Sequence, residues 1–239
     1  MIYHSGIFYP DSKEELIKLV TPIEEKETHK AFILPHMELK SIAHLYREVF
    51  GSIRNGMRII ALIPIHREVL IKDNGKKLFS PLSRIEETTL GNVRIESLGY
   101  DDSAPYEGEE YSLELLYPFI AYHNPDSVLC PVFAHLESGE DTKKLANDLK
   151  KLDDGNTVFI ASSNMTAKME TSDVECERDK MVSLLEDGEK LMERWKKGRI
   201  SACGTPLIES ISRVGSGRWH LLGISEKETK AGHAALYMD

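Results

Sequence analysis

Ile59-Ile60-Ala61-Leu62-Ile63-Pro64-Ile65-His66 decides the fold. An unbroken apolar run of this length, closed by a proline, reads as a strand covered on both faces, which is the habit of parallel sheets packed between helices. Ala31-Phe32-Ile33-Leu34-Pro35-His36 repeats the pattern nearer the N-terminus. Ligands of open α/β sheets bind just beyond the carboxyl ends of the strands. Both imidazoles are thereby placed where such a protein keeps its site.

Working outward, the elements alternate. A short helix is expected over 13–20, a strand over 31–35, and an amphipathic helix through Ile42, Leu45, Tyr46, Val49, Phe50 and Ile53 with Ser41 as its N-cap and His44 on the solvent side. After the strand 58–64, residues 69–72 and 77–79 around Asp73-Asn74-Gly75 read as a β-hairpin. Strands at 92–97, 127–133 and 156–162 follow, with an acidic loop at 101–110, a helix from about 112 and a helix at 141–152. A long helix is expected over 176–197, and a shorter one over 206–214, with Thr205-Pro206 as N-cap and first residue. Strands at 219–224 and 233–238 close the chain. Alternating strands and helices without a linker predict one α/β domain spanning 1–239, a central mixed β-sheet flanked by helices.

The 30 Lys+Arg against 39 Asp+Glu give a net charge of -9, which argues against nucleic acid or an anionic membrane as partner. No apolar stretch reaches the ~18 residues of a membrane span, and the N-terminal residues lack a signal-peptide pattern, so a cytoplasmic location is expected. Cys130, Cys176 and Cys203 form no CxxC pair, which speaks against a disulfide scaffold, a zinc ribbon or an iron–sulfur cluster. Phosphate-binding glycine loops, a GxSxG elbow and HExxH are absent, so nucleotide cofactors and serine hydrolysis are not expected.

His36 and His66 are candidate metal ligands or acid/base groups, or else histidines bonded to their own turns. Cys203 precedes a helix start, a position that favours the thiolate; a small residue packing that helix start is the plainer reading. Two histidines with a carboxylate suit iron(II), and two with a thiolate suit copper, iron or zinc. In the acidic segment, Glu107 and Glu109 read as solvated surface, while Glu110 and Glu114 draw interest because they flank Tyr111-Ser112-Leu113.

Seven short motifs, in order, resemble the Memo family, whose prokaryotic members are called AmmeMemoRadiSam system protein B. They are Gly6-Ile7-Phe8-Tyr9-Pro10, Leu34-Pro35-His36, Ile63-Pro64-Ile65-His66, Glu87-Thr88-Thr89-Leu90-Gly91, Glu110-Tyr111-Ser112-Leu113-Glu114, Ser162-Ser163-Asn164 and Cys203-Gly204. The resemblance implies a fold similar to LigB-type class III extradiol dioxygenases. It also implies a metal site of His36, His66 and Cys203, with iron or copper as the expected ion.

The departures fall around those ligands. Tyr111 stands where the family usually has histidine, Asn164 where it has aspartate, Ala167 about where a further histidine falls, and Met37-Glu38 where it has Ala-Gly. With Met37, Glu38, Tyr111, Glu114 and Asn164 as candidate cleft-lining residues, the expected function is a divergent metal-binding protein with a redox or partner-supporting role. Standard dioxygenase turnover is not expected, because the acid/base groups are missing. The alternative is a metal-free cleft that holds a peptide or small ligand.

Overall fold

In the computed structural model, residues 2–21, 24, 26–66, 77–108, 110–167, 171–225 and 231–239 are described. The first limb and turn of the expected hairpin, and Glu109, lie outside them.

The two apolar runs form β1 (Ala31–Leu34) and β2 (Arg58–Pro64), and β7 (Val128–Ala134) and β8 (Thr157–Ser162) are equally buried. These four pair parallel in the order β7-β2-β8-β1. Further strands extend both sides. On one flank lie β5 (Gly91–Ile95), parallel to β7, and β4 (Arg84–Thr88), antiparallel to β5. On the other, β10 (Ala234–Met238) runs antiparallel to β1, and β9 (Trp219–Ile224) antiparallel to β10. β3 (Leu78–Ser80) pairs with β7 and with β6 (Asp101–Asp102), completing a mixed ten-stranded sheet among the described residues.

Strand side chains alternate between two cores. Phe32, Leu34, Ile59, Ala61 and Ile63 face one, and Ala31, Ile33, Ile60 and Leu62 face the other. The first core is covered by α1 (Lys13–Val20), α2 (Leu39–Gly51) and α4 (Tyr117–His123). The second is covered by α5 (Gly139–Leu152), α6 (Thr171–Glu186) and α8 (Thr205–Ser212). Each fully buried Leu, Ile or Phe in these layers contributes about 1.5–3 kcal/mol of burial free energy. That pins the register, because a one-residue slip would turn a whole face outward.

Several boundaries differ from the sequence expectation. α2 begins at Leu39 with Glu38 as N-cap, not Ser41, and His44 is half-buried with its ring donating to the Ile224 carbonyl. The acidic loop contains β6 and a short helix, α3 (Ala104–Glu107), and the helix expected from 112 is a 3-10 turn at Glu114–Leu116 running into α4, whose start is set by Pro118. The long helix over 176–197 is two helices, α6 and α7 (Met192–Lys196). Between them Gly188 adopts a φ of 70°, a left-handed value that ends a helix. Gly204, not Thr205, caps α8. No helix among the described residues is long and apolar enough to cross a membrane.

Candidate metal centre

The strand order puts β8 between β1 and β2. Parallel neighbours lie about 4.8 Å apart, so residues just past the ends of β1 and β2 start about 10 Å from each other with the end of β8 between them. His36 and His66 lean across that gap until their rings sit edge to face at 4.9 Å. Cys203 arrives from the turn before α8, and its Sγ lies 3.5 Å from His36 Nε2. The ligand atoms of His36, His66 and Cys203 all fall within 4.8 Å of one another.

Gly204 makes this approach possible. A Cβ there would meet the Ser162 carbonyl oxygen and the Ser163 Cβ, each at 2.6 Å, so only glycine lets the start of α8 rest on the end of β8. The Gly204 N–H donates to Ser163 Oγ at 2.9 Å, and the Asn164 N–H points at Cys203 Sγ at 3.3 Å.

Each imidazole is anchored through the nitrogen that faces away from the thiol. His36 Nδ1 meets Ser162 Oγ at 2.8 Å, and Asn164 Oδ1 accepts from the His36 backbone N–H. His66 Nδ1 meets Glu110 Oε2 at 2.7 Å, while the other oxygen of that buried carboxylate accepts from the His66 backbone N–H at 2.5 Å. Such partners fix tautomer and ring direction at metal sites. An ion with bonds of about 2.0–2.3 Å at tetrahedral angles separates its ligands by about 3.5 Å, the spacing between His36 and Cys203. The donor set is one that could hold a transition-metal ion.

The electrostatics favour a thiolate at Cys203. Burial alone would raise the Cys203 thiol, but His36 and His66 outweigh it and hold the thiol well below its ordinary range. Burial likewise pulls His66 down, and Cys203 and Glu110 reverse this and carry its pKa up to about 10. Tyr111 is pushed up to about 12 by burial, then by Cys203 and Glu110, so its hydroxyl stays protonated. That hydroxyl points at the His36 carbonyl at 3.4 Å.

The three groups sit in a cleft of about 650 Å³. Phe8 and Tyr111 stack at 3.8 Å in its lining, to which Asn164, Thr166, Ala167 and Ser201 also belong. Three of the sequence candidates have other surroundings. Met37 packs half-buried against the core under α2, and Glu38 is exposed at the helix start. Glu114 is buried and turned to the N-terminal segment, accepting from the N–H groups of Tyr3 and His4 and from the Tyr9 hydroxyl.

Glu114 also holds a residue that sequence reasoning missed. His4 Nδ1 lies 3.1 Å from Glu114 Oε1, and the His4 ring lines the cleft. Its place two residues before Gly6-Ile7-Phe8-Tyr9-Pro10 was the available signal. A second histidine, His233, is buried nearby; burial and then His36 bring its pKa down to about 4, so it is neutral.

Residues 2–214 match the family described as Memo-like protein, and the chain belongs to that family. A MEMO1 family protein of Aquifex aeolicus (strain VF5) is 26% identical over 220 residues, covering 84% of this chain and 80% of that protein. Another match to a MEMO1 family protein of the same organism is 25% identical over 178 residues, covering 67% of this chain and 46% of that protein. Among solved structures, that of an uncharacterized Escherichia coli K12 protein, JW3007, is similar with a TM-score of 0.48 and 10% identity, covering 88% of this chain and all of that one.

Proposed function

We propose that this chain, a single Memo-like domain, holds one transition-metal ion between His36, His66 and Cys203. Iron or copper is the expected ion, with zinc also within reach of these donors. The observation that carries this reading is the convergence of the three ligand atoms within 4.8 Å. The anchoring of each ring through its far nitrogen supports it.

Bound there, such an ion supplies redox change or polarises an oxygen ligand. The chain's own residues then divide the remaining work. Glu110 steers His66, the Asn164 N–H satisfies the cysteine sulfur, and the Tyr111 hydroxyl offers a proton donor at the cleft wall. With Tyr111, Asn164 and Ala167 where the family's titratable groups stand, a redox role or support of a protein or peptide partner fits better than ring-cleaving turnover.

Elemental analysis after anaerobic purification tests the reading. Wild type is expected to carry iron, copper or zinc at close to one ion per chain, and His36→Ala, His66→Ala and Cys203→Ala to lose it. Equal and negligible metal in all four would reject the site and favour the metal-free cleft. Saturable peptide or metabolite binding weakened by Tyr111→Ala would then be its signature.

A further inference from the structure

Besides His66 with Glu110, the cleft has a second imidazole with a carboxylate partner, His4 with Glu114. We propose that His4, oriented by Glu114, is a ligand-contacting residue of this cleft, and that it accepts a hydrogen bond from the hydroxyl of a small ligand whose apolar body lies on Phe8 and Tyr111. The proposal rests on the reading of the cleft as the functional site, but it does not require the metal.

The geometry leaves His4 one role to fill. Its side chain is 11% exposed, and its Nδ1 is engaged by Glu114 at 3.1 Å. With Glu114 accepting from Nδ1–H, the tautomer that this bond selects leaves Nε2 as a lone-pair acceptor. No residue among those described makes a hydrogen bond to Nε2, and the ring borders the cleft. Glu114 cannot swing away to serve another group, because three further donors hold it: the N–H groups of Tyr3 and His4, and the Tyr9 hydroxyl. A carboxylate that fixes an imidazole so that its other nitrogen faces a ligand hydroxyl is an arrangement suited to accepting a proton.

The surroundings set the ligand class. His4 stands edge-on to Phe8, with ring centroids 5.7 Å apart, and to Tyr111 at 6.1 Å. A ligand reaching Nε2 therefore passes along the stacked pair of rings, which favours a flat or apolar body. A charged oxyanion is a poorer match than a hydroxyl, because it has no proton to offer Nε2.

Phenol and anisole separate these features, since they share a body and only phenol has the O–H. Metal-free wild type, prepared with a chelator, is titrated with each, and the His4 ring nitrogens are followed by NMR. Phenol is expected to bind saturably, to move the His4 Nε2 resonance, and to outcompete anisole by about tenfold, the worth of one hydrogen bond to an otherwise unpaired acceptor. His4→Phe is expected to erase the preference while still binding anisole, which also shows that the variant is folded. Glu114→Gln should weaken the preference, and His4→Gln should restore part of what His4→Phe loses.

Equal binding of phenol and anisole, an unmoved His4 resonance, or no saturable binding of either probe overturns the proposal. Metal at one ion per chain with no phenol preference would sink this proposal alone. A phenol preference in a protein that carries no metal would sink the metal reading alone.

Discussion

His36 and His66 flank the same strand, β8, and end up in opposite surroundings. His36 is 3% exposed and its far nitrogen meets a neutral hydroxyl, Ser162. The His66 side chain is 38% exposed, yet its far nitrogen meets a buried carboxylate, Glu110. The same local pattern, strand then proline then histidine, thus yields a packed imidazole on one side and a charged pair on the other. The difference comes from residues that are distant in sequence: Ser162 at the end of β8, and Glu110 in the segment after α3. Local sequence sets where each histidine stands; the long-range partner sets what its far nitrogen meets.

Removing one of the three clustered side chains is the largest perturbation of this pair. Cys203→Ala is expected to abolish stoichiometric metal, as are both histidine variants, and elemental analysis reads the loss. Next comes Gly204→Ala, which forces a Cβ into the Ser162 carbonyl and Ser163 Cβ. It should cost about 1–3 kcal/mol of stability by denaturant titration and weaken metal binding through displacement of Cys203. An unchanged unfolding midpoint would show that α8 can retreat from β8 at no cost.

Glu110→Gln separates the two histidines. It should lower metal affinity about tenfold to a hundredfold, as loss of a partner behind a ligating imidazole does. It also has a pH signature in the metal-free protein. His66 is raised from 6.5 to about 10 in the folded state. Its stabilising contribution is therefore complete below about pH 6.5 and is lost as pH rises through about 10. Cys203 and then Glu110 raise His66, so the melting temperature of wild type should fall across that window more than that of Glu110→Gln, which loses only the second contribution, and parallel curves would remove Glu110 as a cause. Ser162→Ala is the mildest test. It deletes one neutral hydrogen bond at His36, costs about 0.5–1.5 kcal/mol, and leaves that pH profile alone.

The same contrast explains how much of the molecule was legible in the sequence. β1, β2, β7 and β8 were plain because strands buried on both faces are apolar throughout. β4 was hidden because its pattern is inverted: Ile85 is 63% exposed, while Glu86 is buried and paired with Arg84. The break between α6 and α7 rests on a single glycine inside an otherwise helical composition. At the site, the strand-end histidines could be read from their flanks, and Cys203 joined them only through the family resemblance. His4 escaped notice because its partner, Glu114, is 110 residues away, and no local pattern announces such a pairing. Met37 and Glu38 were weighed as cleft residues because of what they replace, yet the turn into α2 carries Met37 toward the core and Glu38 to solvent.

The separation of the three clustered residues along the chain has a kinetic meaning. His36 and Cys203 are 167 residues apart, and their meeting requires β1 to find β8 in parallel register and α8 to settle on the end of β8. Pairings between such distant segments form slowly, because loop-closure entropy must be overcome before any contact rewards it. An intermediate in which β1 and β8 have not met has not assembled the cluster of His36, His66 and Cys203. Recovery of the centre after dilution from denaturant therefore times the final closure of the sheet, and the cleft works as a clock for native assembly.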